Sequence, residues 1–227
     1  MIRILAIADI HLEFDKALEI VKNERAIDYI FIAGDIADIP FTEYALDEII
    51  SFLNNLERIA DAEIYAILGN NDHPELFNMD FNKIKILKED VVILKNNLKL
   101  IGISGTYHAP EIYNLIPLSE LEIYEKLIKL SSGINGKEMI ILIHEPPSPT
   151  KLSFSVLDKH AGSRMLHKFI EEKQPLLCIC GHVHEAFGID RIGESLILNV
   201  GPAYEGRYSI VEINQEIKIT LKKINFD

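Results

Sequence analysis

Apolar positions fall into five short runs, at residues 4–8, 29–33, 64–68, 139–143 and 176–180. Runs this short, β-branched and free of polar alternation predict strands buried on both faces. Between the first two, Ala17, Leu18 and Val21 recur at helical spacing and predict a helix over 14–25. After the second, Leu46, Ile49, Ile50, Leu53 and Leu56 form the inner stripe of a longer helix, with Thr42 as N-cap and Ile59 near its end. Strand–helix–strand repetition of this kind implies parallel pairing through right-handed crossovers.

From residue 84 the pattern changes. Runs at 84–87, 91–94 and 98–103 predict successive strands, followed by a helix over 119–130 that stops at Gly133. A further helix is expected over 163–172, and strands at 187–191, 195–199, 208–213 and 217–224. The sum is an α/β chain with two sheets of mixed direction and helices outside both. The irregular stretch 145–162, carrying Pro146, Pro147 and Pro149, is a long loop of the type that overhangs a site. No repeat or linker divides residues 1–227, which are expected to form one domain.

Composition narrows the classes of partner. With 227 residues, 48% of them hydrophobic, the chain can bury a substantial core. Lys and Arg number 23 against 35 Asp and Glu, a net charge of −12 that argues against nucleic acid or an anionic membrane surface as partner. No apolar stretch approaches the length of a membrane helix. Cys178 and Cys180, two apart in an apolar run, are expected as packed thiols. A soluble, cytoplasmic protein is the expectation.

What ends the five runs is more specific. The first leads into Asp9 and His11, the second into Gly34, Asp35 and Asp38, the third into Gly69, Asn70, Asn71 and Asp72. The fourth leads into His144, and the fifth into Gly181, His182 and His184. Ligands of open α/β sheets collect beyond the carboxyl ends of the strands, so these side chains should share one rim. On an extended tip, residues i and i+2 face the same way, which would let Asp9 and His11 reach one ion, as would His182 and His184. Asp35 can bridge two ions through its two oxygens, and Asn70 offers a neutral one. Mixed nitrogen and oxygen donors suit Mn, Fe, Co, Ni or Zn.

Singly, these motifs are weak: Asp-x-His is common, and Gly-Asp-x-x-Asp or Gly-Asn-Asn-Asp is an ordinary turn. In this order, from Asp9 to His184, they resemble the calcineurin-like metallophosphoesterase family, with Asp-x-His, Gly-Asp-x-x-Asp, Gly-Asn-His-Asp/Glu, a lone His and Gly-His-x-His. The resemblance implies a four-layer α/β/β/α sandwich with two mixed β-sheets. It implies one divalent ion on Asp9, His11, Asp35 and His184 and another on Asp35, Asn70, His144 and His182. It also implies hydrolysis of a small phosphoester by water or hydroxide held between the ions.

One position departs from the pattern. Asn71 stands where most of the family has a histidine that acts on the phosphoryl or leaving oxygen, oriented by the acidic residue that follows, here Asp72. An amide donates a hydrogen bond but is no proton donor near neutral pH. Phosphodiesters with good leaving groups are therefore expected over monoesters. Asp38 either orients a metal-binding histidine or caps a helix. His73 and His108 either replace the missing acid or simply pack in loops, and His160 could hold an anion at the start of the next helix. Arg207, beyond Asn199 and Gly201-Pro202, either contacts phosphate or pairs with a carboxylate. His167 has no evident role. Two rivals remain at this stage, a Mn-dependent nuclease of the repair type and a non-catalytic metal-binding regulator.

Overall fold

A computed structural model describes residues 1–38, 45–107, 109, 114–156 and 161–226. Strands β1 (Ile2–Ile7), β2 (Tyr29–Ala33), β3 (Glu63–Ile67) and β4 (Ile84–Ile86) pair in parallel, in that order. Strands β11 (Arg207–Ile213) and β12 (Ile217–Lys223) extend the β1 edge antiparallel, giving the order β12-β11-β1-β2-β3-β4. In the second sheet β6 (Lys99–Ile103), β7 (Met139–Ile143), β8 (Leu177–Cys180) and β10 (Ser195–Asn199) are parallel. Its outer strands, β5 (Glu89–Ile93) and β9 (Gly188–Ile192), are antiparallel, in the order β5-β6-β7-β8-β10-β9.

Layering explains why the apolar runs lack alternation. Leu5, Ile7, Ile30 and Ile32 pack with Ile20 of α1 (Phe14–Asn23) and with Ile49 and Leu53 of α2 (Ala45–Ile59). Their neighbours Ile4, Ala6 and Phe31 pack instead against Ile140, Leu142 and Ile179 of the second sheet. That sheet's other face, with Ile101, Ile141 and Ile143, meets Ile123 and Leu127 of α3 (Glu120–Leu130) and Leu166 and Phe169 of α4 (Arg164–Lys173). Three apolar layers thus separate four structural ones, helix–sheet–sheet–helix. Each large side chain so enclosed contributes about 1.5–3 kcal/mol relative to exposure.

The element ends follow local chemistry. The helix expected over 14–25 stops at Asn23, because Glu24 is extended and its carboxylate is drawn to Arg3, Tyr208 and Lys222. Ser119 caps α3 in a reciprocal box with Glu122, and Ser163 caps α4 through the Leu166 N–H. Thr42 lies outside the described residues. Cys178 and Cys180 are free thiols buried between β8 and α4. Among the described residues no helix is long and apolar enough to cross a membrane.

Candidate metal centre

The carboxyl ends of β1, β2 and β3 in one sheet and of β7 and β8 in the other carry the motif residues. Their convergence does not come from alternation along extended tips, as the sequence suggested. The tips curl: Asp9, His11, Asp35 and His182 all have left-handed backbone, with φ of 51°, 47°, 52° and 68°. The cause is hydrogen bonding between neighbouring tips. Asp9 N–H donates to Gly34 O at 3.0 Å, while Ile10 and His11 N–H both donate to Asp35 O, at 2.7 and 3.1 Å. Such conformations cost about 1–3 kcal/mol each and persist where surrounding bonds over-determine them.

Inside these turns the donor atoms meet. Asp9, His11 and His184 place one ligand atom each within 4.8 Å of one another, and so do Asp9, Asp35 and His144. Asp35 Oδ2 lies 3.3 Å from His144 Nε2 and 3.8 Å from His11 Nε2, between the two groups. His11 Nε2 and His184 Nε2 face each other at 3.3 Å, with Asp9 Oδ1 3.5 Å from His184 Nε2. His182 donates its backbone N–H to both Asp9 oxygens at 3.1 Å, and its ring meets His144 edge-on, centroids 5.0 Å apart. Asn70 is buried beside them at the end of β3.

Ionisation follows from burial and mutual contact. Burial alone would raise the Asp35 and Asp9 carboxyls, but His144 overrides it at Asp35 and His184 at Asp9, so both lie below the usual range. Burial would likewise depress His144, yet Asp35 and Asp9 push it up to about 10. Asp72 goes the other way, to about 7, through burial and the nearby charge of Asp35.

Three features fit divalent cations to these donors. The donor set mixes carboxylate oxygen with imidazole nitrogen, the combination preferred by first-row metals. His144 Nε2 is fully buried and faces the Asp35 carboxylate at 3.3 Å, an imidazole and a carboxylate aimed at one point and shielded from solvent, as a shared cation requires. Space is also kept clear: a Cβ on Gly69 would come within 2.2 Å of Asp35 Oδ1, and one on Gly181 within 2.6 Å of Asp9 Oδ2.

The outer residues hold the donors in place. Asp38 Oδ1 approaches His11 Nδ1 at 3.6 Å, and the helix-cap alternative falls on residues 39–44, outside the described ones. Asp72 does not touch the Asn71 side chain, correcting the sequence expectation: its two oxygens accept from Ala37 N–H at 2.9 Å and Gly69 N–H at 2.8 Å. It therefore ties the Asp35 turn to the Asn70 turn. Asn71 points inward, donating its amide to Asp35 Oδ2 at 2.7 Å. Arg207 donates to His184 O at 2.9 Å and pairs with Glu205 at 3.0 Å, the carboxylate-pairing alternative. His73 caps a short 3-10 turn through Glu75 N–H. His108 and His160 lie outside the described residues. The loop after His144 is strapped to α4 by Ser148 N–H on Ser163 O and leans on Glu185 through Val156 N–H.

Sequence reasoning missed Tyr204, whose hydroxyl lies 3.0 Å from His184 Nδ1. With His11, Glu13, Asp38 and His184 it lines an open cavity of about 360 Å³. Its place two residues beyond Gly201-Pro202 was the available signal.

Known proteins share this fold. The chain is 29% identical over 209 residues to the uncharacterized protein MJ1162 of Methanocaldococcus jannaschii, covering 88% of each. TT1561 of Thermus thermophilus superposes with a TM-score of 0.71 at 17% identity, over 96% of this chain and 98% of that one. A dimetal phosphatase from Danio rerio also gives 0.71, at 13% identity over 98% and 96%. At those identities the two structures establish the fold alone. The model of the calcineurin-like phosphoesterase family matches residues 2–186, which spans the five strand-end motifs from Asp9 to His184 but not Tyr204 or Arg207. The protein is thus a member of the calcineurin-like phosphoesterase family.

Proposed function

We propose that this protein hydrolyses phosphate esters with a pair of divalent ions, and that phosphodiesters are its preferred class. One ion would be held by Asp9, His11, Asp35 and His184, the other by Asp35, Asn70, His144 and His182. The observation that carries this reading is the position of Asp35 Oδ2 between His144 Nε2 and His11 Nε2, 3.3 and 3.8 Å away. When bound, such ions supply Lewis acidity to the phosphoryl oxygens and lower the pKa of water they coordinate.

The chain's own residues supply the rest. His144 keeps Nε2 directed inward because Nδ1 contacts Ala33 O at 2.7 Å. Asp72 fixes two ligand turns relative to each other through the backbone. Asn71 brings no proton to a leaving group, which favours esters whose leaving groups need none. The cavity beside His11 and His184 presents Glu13, Asp38 and Tyr204 but neither lysine nor arginine among its described lining. A singly charged diester meets less repulsion there than a doubly charged monoester. The net charge of −12 likewise disfavours a nuclease role.

The decisive assay loads purified protein separately with Mn, Fe, Co, Ni and Zn and compares aryl phosphodiesters, aryl monoesters and alkyl monoesters. Aryl diesters should turn over fastest, and Asp35→Asn should lower the rate by about 10²-fold or more. Hydrolysis by none of the loaded forms, or an undiminished Asp35→Asn, would refute the proposal.

A further inference from the structure

Of the four imidazoles at the centre, those of His11, His144 and His184 face it with Nε2, and their outer nitrogens are anchored very differently. His144 is fully buried, and its Nδ1 meets the Ala33 carbonyl at 2.7 Å, a backbone acceptor that no side-chain substitution removes. Among the described residues, His11 Nδ1 faces the Asp38 carboxylate, 3.6 Å away. The His184 side chain is one-third exposed, at 33%, and its Nδ1 lies 3.0 Å from the Tyr204 hydroxyl.

Tyr204 is itself held against this ring from several sides. Ala203 N–H donates to Ala8 O at 2.9 Å, fastening the tyrosine's turn to the residue before Asp9. Arg207 reaches back from the same turn to the His184 carbonyl at 2.9 Å. The phenol ring stands edge-on to both imidazoles, with centroids 5.6 Å from His11 and 5.5 Å from His184. A hydroxyl accepts as well as donates, so it can accept a hydrogen bond from His184 Nδ1–H and leave Nε2 free to bind a cation on the side of Asp9 and His11.

We infer that Tyr204 is a positioning residue that fixes the orientation and tautomer of His184, and so sets the cation affinity of the Asp9–His11–His184 half of the centre. This rests on the two-ion reading above. Losing an outer hydrogen bond of a metal-binding histidine typically costs about 10–100-fold in affinity. The other half, anchored through the Ala33 carbonyl, should be indifferent to the change.

Titration of metal-free protein with Mn²⁺ by calorimetry tests this, using wild type, Tyr204→Phe and His184→Ala. Wild type should take up two ions. Tyr204→Phe, which keeps the packed ring, should weaken one of them by about 10–100-fold, and His184→Ala should weaken that same ion. Nitrogen NMR of the Zn²⁺-loaded protein gives a second readout, in which the His184 Nδ1–H resonance should broaden through solvent exchange in Tyr204→Phe. Two ions bound with wild-type affinity by Tyr204→Phe, or an unchanged His184 spectrum, would overturn the inference while leaving the two-ion reading intact. A wild type that binds only one ion would overturn both.

Discussion

Asn71 and Asp35 are joined twice, by the Asn71 backbone N–H to Oδ1 at 3.0 Å and by its side-chain amide to Oδ2 at 2.7 Å. The amide thus lies on the very oxygen flanked by the His144 and His11 imidazoles. A residue that the motif led one to expect at the substrate instead steadies the central carboxylate. Asn71→Ala should therefore lower metal affinity by about tenfold or more, read directly by titration. Asn71→His should raise turnover of alkyl esters far more than of activated aryl esters, since general acid help is worth about 10²–10⁴-fold where leaving groups are poor. Equal gains on both ester types would show that the histidine does not act as an acid there.

Asp72 offers a cleaner case of structure without chemistry. Its two oxygens accept one backbone N–H each, from Ala37 and Gly69, and it is fully buried. Asp72→Asn removes a charge that repels Asp35, yet turns an NH₂ group toward one of those N–H donors. The one unsatisfied donor should dominate, destabilising the fold by about 1–3 kcal/mol. Denaturant unfolding of metal-free protein measures this, and an Asp72→Asn variant more stable than wild type would mean that relief of repulsion wins.

Much of this was legible in the chain. Runs 4–8, 29–33 and 139–143 announced doubly buried strands because both faces of each meet apolar partners. Parallel pairing of the first strands and the four layers followed from those runs and from the family resemblance, whereas the strand order did not. What the sequence hid was set by long-range bonds. Left-handed φ at Asp9 and Asp35 depends on donors and acceptors of a neighbouring strand tip, and neither residue is a glycine that would advertise it. The contact of Tyr204 with His184 bridges 20 residues, and that of Asn71 with Asp35 bridges 36. No local pattern encodes such pairs.

Away from the centre, Glu24 gives a pH prediction. Burial would raise its carboxyl, but Lys222, Tyr208 and Arg3 hold it below the usual carboxylate range. A folded-state pKa below the unfolded one means stability that is fully present above the unfolded value, about 4.3, and lost as pH falls through the folded value. Glu24→Gln should be less stable than wild type at pH 7, by about 1 kcal/mol, since of its partners only Tyr208 is buried while Arg3 and Lys222 reach solvent. The gap should close in strong acid. A gap that stays constant from pH 7 to pH 2 would assign the effect to packing rather than charge.

Metal binding should be visible in stability before any substrate is added. Asp9 and Asp35 are buried at 0% and 2% exposure and held ionised by imidazoles that ions would displace as charge partners. Cations bind the assembled donors and not the unfolded chain, so each ion should stabilise the fold by RT ln(1 + [M]/Kd), about 2.7 kcal/mol at a hundredfold excess over Kd. The melting temperature should rise with Mn²⁺ concentration, fall on chelation, and respond far less to either in Asp35→Asn carrying a second His144→Ala change, which leaves Asp9, His11 and His184 alone. Because ligand protons are released, the gain should also grow from pH 5 to pH 7. A wild-type melting temperature blind to both chelator and Mn²⁺ would contradict the assignment of these side chains as ligands, however well their geometry converges.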